Sequence, residues 1–298
     1  MARFYALALL CQLLLVMAIA TAVVAACALH SWAIAPIALG TLCAVALLTA
    51  VAPLVLARPS RGGPGRRAVS LLRALCIEAA IMEIDVMRMA VEPCRAPLDS
   101  GGAWDAASPR PVLLVHGFAC NRAVWRPALQ RLRAERVGPL RAVSLEPVFA
   151  GLDTVAAAVL SELESLAGSS GRPVAIIAHS MGGLVARAAL RRARPGLIDR
   201  IVTIGTPHHG TALACRFCWP NATQMRPASG WLEDLNASQE GKLGTHITSI
   251  YSRDDNFISP PDSCRLRGAL ELELGGIGHF CLLHSPQVLE RVVSELRA

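Results

Sequence analysis

Lysine is almost missing from this chain. Lys242 stands alone, and the formal net charge of +7 is carried by arginine. Nucleic-acid surfaces gather basic side chains among aromatics. Here the arginines are scattered and aromatics make up only 4% of residues, so no nucleic-acid partner is expected. A disulfide framework is missing as well. Of ten cysteines, Cys11, Cys27 and Cys43 lie in apolar runs, where cysteine acts as a small hydrophobe. Only Cys215 and Cys218 share a suggestive spacing, and a lone CxxC is weak grounds for metal or redox use. No metal is expected. Internal repeats and low-complexity tracts are absent, and no feature points to an obligate protein partner. Charge is missing from residues 1–57 apart from Arg3.

What that charge-poor start does have is length. A membrane-spanning helix needs about 20 apolar residues. Residues 4–28 and 33–57 both reach it, separated by His30-Ser31-Trp32. The pattern predicts a two-helix transmembrane hairpin over 1–57. A single uncleaved anchor is one rival reading, and a cleaved signal peptide ending at Ala18-Ile19-Ala20 is another. Cleavage would leave a second full-length apolar span at the new N-terminus. Arg3 precedes the first span, and Arg58, Arg61, Arg66, Arg67 and Arg73 follow the second, with no basic residue in the turn. The positive-inside rule then puts both ends, and the large C-terminal part, in the cytoplasm.

Residues 58–108 read as a linker. It opens with a Pro/Gly/Arg stretch, continues with a helix-spaced segment over 67–91, and closes with a run rich in Pro, Gly and Ser. Beyond it the pattern alternates. Strands are expected over 111–115, 140–145, 173–178, 201–204, 246–251 and 269–274. Helices are expected over 123–136, 154–167, 182–194 and 285–296. Such alternation argues for a mostly parallel sheet with helices on both faces. Sites in these sheets gather at the carboxyl ends of the strands.

One of those ends is Ala178-His179-Ser180-Met181-Gly182-Gly183. A serine between a strand and a helix, with small residues two positions to either side, is the mark of a nucleophile elbow. Alanine at 178 replaces the usual glycine. The following helix aims its N-terminus at the reacting oxygen. A serine nucleophile needs a histidine base oriented by a carboxylate, here in the chain order serine, acid, histidine. Past Ser180, loops at strand ends supply Asp254 and Asp255, then His279.

With these residues in view, the chain over about 109–298 resembles an α/β-hydrolase of the lipase/esterase group. The matching pieces are Val115-His116-Gly117-Phe118, the Ser180 hexapeptide, Gly205-Thr206-Pro207-His208-His209-Gly210-Thr211, Tyr251-Ser252-Arg253-Asp254-Asp255-Asn256 and Gly278-His279. The Ala-x-Ser-x-Gly form is similar to that of small bacterial lipases. The resemblance implies the α/β-hydrolase fold, with Ser180 as nucleophile, His279 as base and then acid, and Asp255 rather than Asp254 as the orienting carboxylate. It implies oxyanion donors at the backbone N–H groups of Phe118 and Met181, and no cofactor. His179, His208 and His209 are read as structural. The stretch 211–244, with Phe217, Trp219, Met225, Trp231 and Leu232, is expected to form a cap over an apolar substrate site. The expected activity is hydrolysis of carboxylic esters, of lipids or acylglycerols above all. Acyl transfer and thioester hydrolysis by the same residues stay open, as does a non-catalytic membrane scaffold. Serine at 180 excludes the dehalogenase and epoxide hydrolase chemistry that would need aspartate there. With the predicted hairpin, the resemblance places the protein in a bacterial inner membrane as a multi-pass protein with a cytoplasmic catalytic domain.

Overall fold

A computed structural model describes residues 77, 78, 80–82, 84, 85, 88, 89, 110–239 and 245–298. The predicted hairpin spans over 4–28 and 33–57 lie outside the described residues. The chain divides into two units, Met1–Ile84 and Asp85–Ala298. In the first, the described positions are helical, with Glu78 buried and Ile77 and Ile84 exposed.

The second unit is built on a six-stranded sheet with β1 (Val112–Val115), β2 (Leu140–Val143), β3 (Val174–His179), β4 (Ile198–Ile204), β5 (His246–Ser252) and β6 (Leu270–Leu274). The order is β2-β1-β3-β4-β5-β6, and each neighbouring pair is parallel. The sheet expected to be mostly parallel is therefore wholly so among the described residues. Four α-helices, α1 (Arg126–Ala134), α2 (Leu152–Ser170), α3 (Met181–Arg192) and α6 (Pro286–Arg297), alternate with the strands or close the chain. The other two, α4 (Pro220–Gln224) and α5 (Gly230–Gln239), fall inside the predicted cap.

The central strands are apolar without alternation because both faces of the sheet are covered. Val112, Leu113, Leu114 and Val115 are all fully buried. Leu113, Val115, Ile176 and Ala178 share one core with Leu163 of α2 and Leu184 of α3. Their alternate neighbours point the other way, toward the α1–α6 pair. The β6 edge alternates leucine with glutamate. Glu273 there pairs with Arg253 and Arg265, which blunts an open edge.

The helix expected over 123–136 is split. Arg122–Trp125 forms a 3-10 turn capped by Asn121, and α1 starts only at Arg126 because Pro127 lacks an N–H to continue the earlier turn. Among the described residues no helix is long and apolar enough to cross a membrane. The longest, α2, has 19 residues but carries Asp153, Glu162 and Glu164.

The strand order reverses between β1 and β3, since β2 lies outside β1 and β4 outside β3. Ligands of parallel sheets bind at such a switch point, beyond the strands' carboxyl ends. The segments leaving β1 and β3 are His116-Gly117-Phe118 and Ser180-Met181.

Candidate active site

Ser180 occupies the turn between β3 and α3 with φ 55 and ψ −128, a conformation costly for a residue with a Cβ. The surroundings hold it there. Its N–H donates to Ile204 O at 2.8 Å, and its carbonyl accepts from the Thr206 hydroxyl at 2.9 Å. Gly182 and Gly183 are required by space. A Cβ on Gly182 would overlap the carbonyl oxygens of Val115 and His116, and one on Gly183 would overlap the Thr206 side chain. The Met181 N–H lies in the first turn of α3, where helix N–H groups have no partner of their own.

The β1 loop comes up against the same serine. A Cβ on Gly117 would stand 2.8 Å from the Ser180 Cβ, so only glycine lets this backbone approach. His116 fixes the shape of the loop. Its Nδ1–H donates to Gly117 O at 2.8 Å, and its Nε2 accepts the Leu145 N–H at 2.9 Å. Those roles require a neutral ring, and burial pushes its pKa down to about 4. Phe118 follows, and Ala119 beyond it holds φ 54.

The residues expected as acid and base lie in the loops after β5 and β6. His279 Nδ1 and Asp255 Oδ2 are 2.7 Å apart, with both side chains almost wholly buried. The other Asp255 oxygen accepts the N–H groups of Phe257 and Ile258 at 2.8 and 2.9 Å. The carboxylate is thus oriented by backbone and left with one oxygen for the imidazole. Gly205, in the left-handed region at φ +57, lies beside the pair; a Cβ there would come within 3.2 Å of both Asp255 Oδ2 and His279 Nδ1.

Asp254 does other work. Its Oδ2 accepts the Gly276 N–H at 2.6 Å, and its side chain is turned to the exposed side of the loop. Asn256, unmarked in the sequence reading, accepts the His279 N–H at 3.0 Å. The Phe257 ring stacks on the His279 ring with centroids 5.0 Å apart. His179 supports the same residue, its Nε2–H reaching the His279 carbonyl at 3.3 Å. Burial, then the neighbouring His279, push the His179 pKa well below the usual range.

His208 and His209 belong to a different network. Arg187 on α3 is fully buried and donates to Gln239 Oε1, Asn236 Oδ1 and His208 Nδ1 at 2.8, 2.8 and 3.2 Å. Since arginine only donates, His208 must accept at Nδ1 and carry its proton at Nε2, toward the Thr203 hydroxyl. This network ties α5 of the cap region to α3. Among the described residues no group of His, Cys, Asp and Glu is arranged to hold a metal ion.

Four aromatic rings gather at the Phe118 side of the site. Phe118, Phe149, Phe217 and Trp219 lie with centroids 4.5 to 6.4 Å apart, and Phe149 and Trp219 face solvent. Phe149, in the loop after β2, is not part of any motif and was invisible to pattern reading.

The family model described as the alpha/beta hydrolase family matches residues 112–291. Two curated relatives are both named GPI inositol-deacylase. The one from Candida albicans is 34% identical over 98 residues, which is 33% of this chain and 24% of that protein. The one from Schizosaccharomyces pombe is 26% identical over 117 residues, covering 34% of this chain and 10% of that protein. The chain thus spans a quarter or less of the length of these relatives. Among solved structures, Bacillus licheniformis lipase BlEst2 in mature form superposes with a TM-score of 0.58 at 17% identity, over 68% of this chain and 99% of that one. Aspergillus fumigatus lipase B gives a TM-score of 0.58 at 19% identity, over 66% of this chain and 55% of that one. At such identities the likeness is one of fold.

The expected placement in a bacterial inner membrane, with a cytoplasmic catalytic domain, is corrected by these findings. Both curated relatives are yeast proteins, not bacterial inner-membrane ones.

Proposed function

The chain belongs to the alpha/beta hydrolase family, and we propose that it is a serine hydrolase that cleaves carboxylic esters of lipids. The observation that carries the proposal is the buried 2.7 Å contact between His279 Nδ1 and Asp255 Oδ2, with the His279 ring 4.6 Å from that of His179, the residue before Ser180. In this reading Ser180 Oγ attacks the ester carbonyl carbon and its proton passes to His279 Nε2. Asp255 holds the Nδ1–H and stabilises the imidazolium that forms. The tetrahedral oxyanion takes the N–H groups of Phe118 and Met181. His279 then protonates the departing alcohol, leaving an acyl group on Ser180. A water, deprotonated by His279, releases the acid and restores the serine. No cofactor enters these steps.

The substrate class rests on the four-ring aromatic cluster beside Phe118, which offers an apolar wall to an acyl chain. It agrees with the name that the curated relatives carry, deacylases of an inositol in GPI. Residues 211–239, with α4 and α5, serve as the cap and supply Phe217 and Trp219 to that wall.

Turnover of p-nitrophenyl esters by the full-length chain and by Ser180→Ala tests the assignment. The variant is expected to lose more than about a thousandfold in kcat while keeping its fold. Turnover retained in the variant would remove Ser180 from the mechanism.

A further inference from the structure

The family match begins at residue 112, yet two of the site's loops are held by residues that come before it. Asp85 is completely buried. Its Oδ2 meets His284 Nε2 at 2.9 Å and its Oδ1 meets Arg88 Nη1 at 2.8 Å. His284 ends the 3-10 turn Cys281–His284, which follows directly on His279 and Phe280. Met89, one helical turn along from Asp85, holds the other loop. Its carbonyl accepts the Asn121 side-chain N–H at 3.0 Å, and its sulfur accepts the Asn121 backbone N–H at 3.3 Å. Asn121 caps the turn that ends the Gly117–Cys120 loop. The charge of Asp85 is also felt there, since burial and then Asp85 push the Cys120 thiol up to about 12.

We infer that Asp85 and Met89 form a brace that sets the spacing between the His279 loop and the Gly117–Phe118 loop. Asp85, acting through His284, is a positioning residue for His279. A proton transfer and an oxyanion contact need their partners placed within fractions of an ångström, and a misplacement of about 1 Å arising far from the chemistry can cost about a hundredfold. Here the base and one oxyanion donor sit on separate loops after β6 and β1, which are not neighbours in the sheet. Backbone pairing alone does not fix their separation. One short segment that touches both does.

The inference rests on the serine hydrolase reading, and the experiment separates the two. The second-order rate constant and the final extent of fluorophosphonate labelling are measured on the full-length chain, for wild type, Asp85→Asn, His284→Phe and His284→Gln. Asp85→Asn and His284→Phe are expected to label about tenfold more slowly than wild type, to the same final extent. His284→Gln keeps an N–H donor near the Nε2 position and is expected to stay within about twofold. The double variant Asp85→Asn/His284→Phe is expected to be no slower than either single one, since both break one contact. Variants that label as fast as wild type, with only a smaller labelled fraction, would reduce the brace to a contribution to folding and overturn it. A wild type that is folded and never labels would overturn the hydrolase reading itself.

Discussion

Asp254, Asp255 and Asn256 follow one another in the chain, yet each holds a different part of the histidine loop: the Gly276 N–H, the His279 ring and the His279 N–H. Asp255→Asn therefore leaves the backbone contacts in place and takes the charge from the imidazole. Its kcat is expected to fall by about ten-thousandfold. Asp254→Asn keeps an acceptor for Gly276 and is expected to lose less than about tenfold. Steady-state kinetics on the two variants checks the ranking, and the reverse order would move the acid to Asp254. His116 gives a prediction about stability. The folded chain holds it neutral with a pKa near 4, against an ordinary value of 6.5. Between those values the unfolded chain binds the proton and the fold does not, so stability falls as the pH drops from about 6.5 toward 4. The loss is on the order of 3 kcal/mol from this residue. His179 and His208, also pushed below the usual range by burial, act in the same direction. Urea midpoints at pH 7 and pH 4.5 should differ for wild type and differ less for His116→Gln. At this scale the turn around Ser180 was legible because strand–turn–helix spacing announces it. The partners of Asn256, Thr206 and His116 were not, because a motif names residues and leaves open which atom each one holds.

The strands were legible to within a few residues, most plainly in β1 and β3, where burial on both faces gives an unbroken apolar run. The expected run over 111–115 is Val112–Val115, and that over 246–251 is His246–Ser252. The cap region was legible only as an insertion. α4 and α5 are short, and a few turns of helix on a mostly polar stretch leave little periodicity to read. Leu232 and Leu235 of α5 sit in the main core, and polar bonds add to that attachment. Arg187 binds Gln239 and Asn236 of α5, and Gln239 returns a bond to the Arg187 carbonyl at 2.9 Å. Arg187→Met would fill the space but leave buried acceptors without donors. The expected cost is at least about 2 kcal/mol of stability, read as a lower urea midpoint. An unchanged midpoint would show that α5 is held by its apolar contacts alone.

Across the whole molecule, the sheet brings Ser180, Asp255 and His279 to one end, and the aromatic cluster lies on one flank of that end, joined to it through Phe118. Trp219→Ala and Phe149→Ala should raise KM for long-chain esters by about three- to tenfold while leaving short-chain esters within about twofold, as the loss of apolar contact scales with chain length. A p-nitrophenyl ester series from two to sixteen carbons checks this, and an equal effect at all lengths would assign the rings to packing. The central claim is that Ser180 is an activated nucleophile. The most direct measurement is fluorophosphonate labelling of the purified full-length chain, followed by peptide mass spectrometry to locate the adduct. A single adduct on Ser180, absent from Ser180→Ala and slowed in Asp255→Asn, is the predicted result. An adduct on another residue, or labelling undiminished in Ser180→Ala, would contradict it.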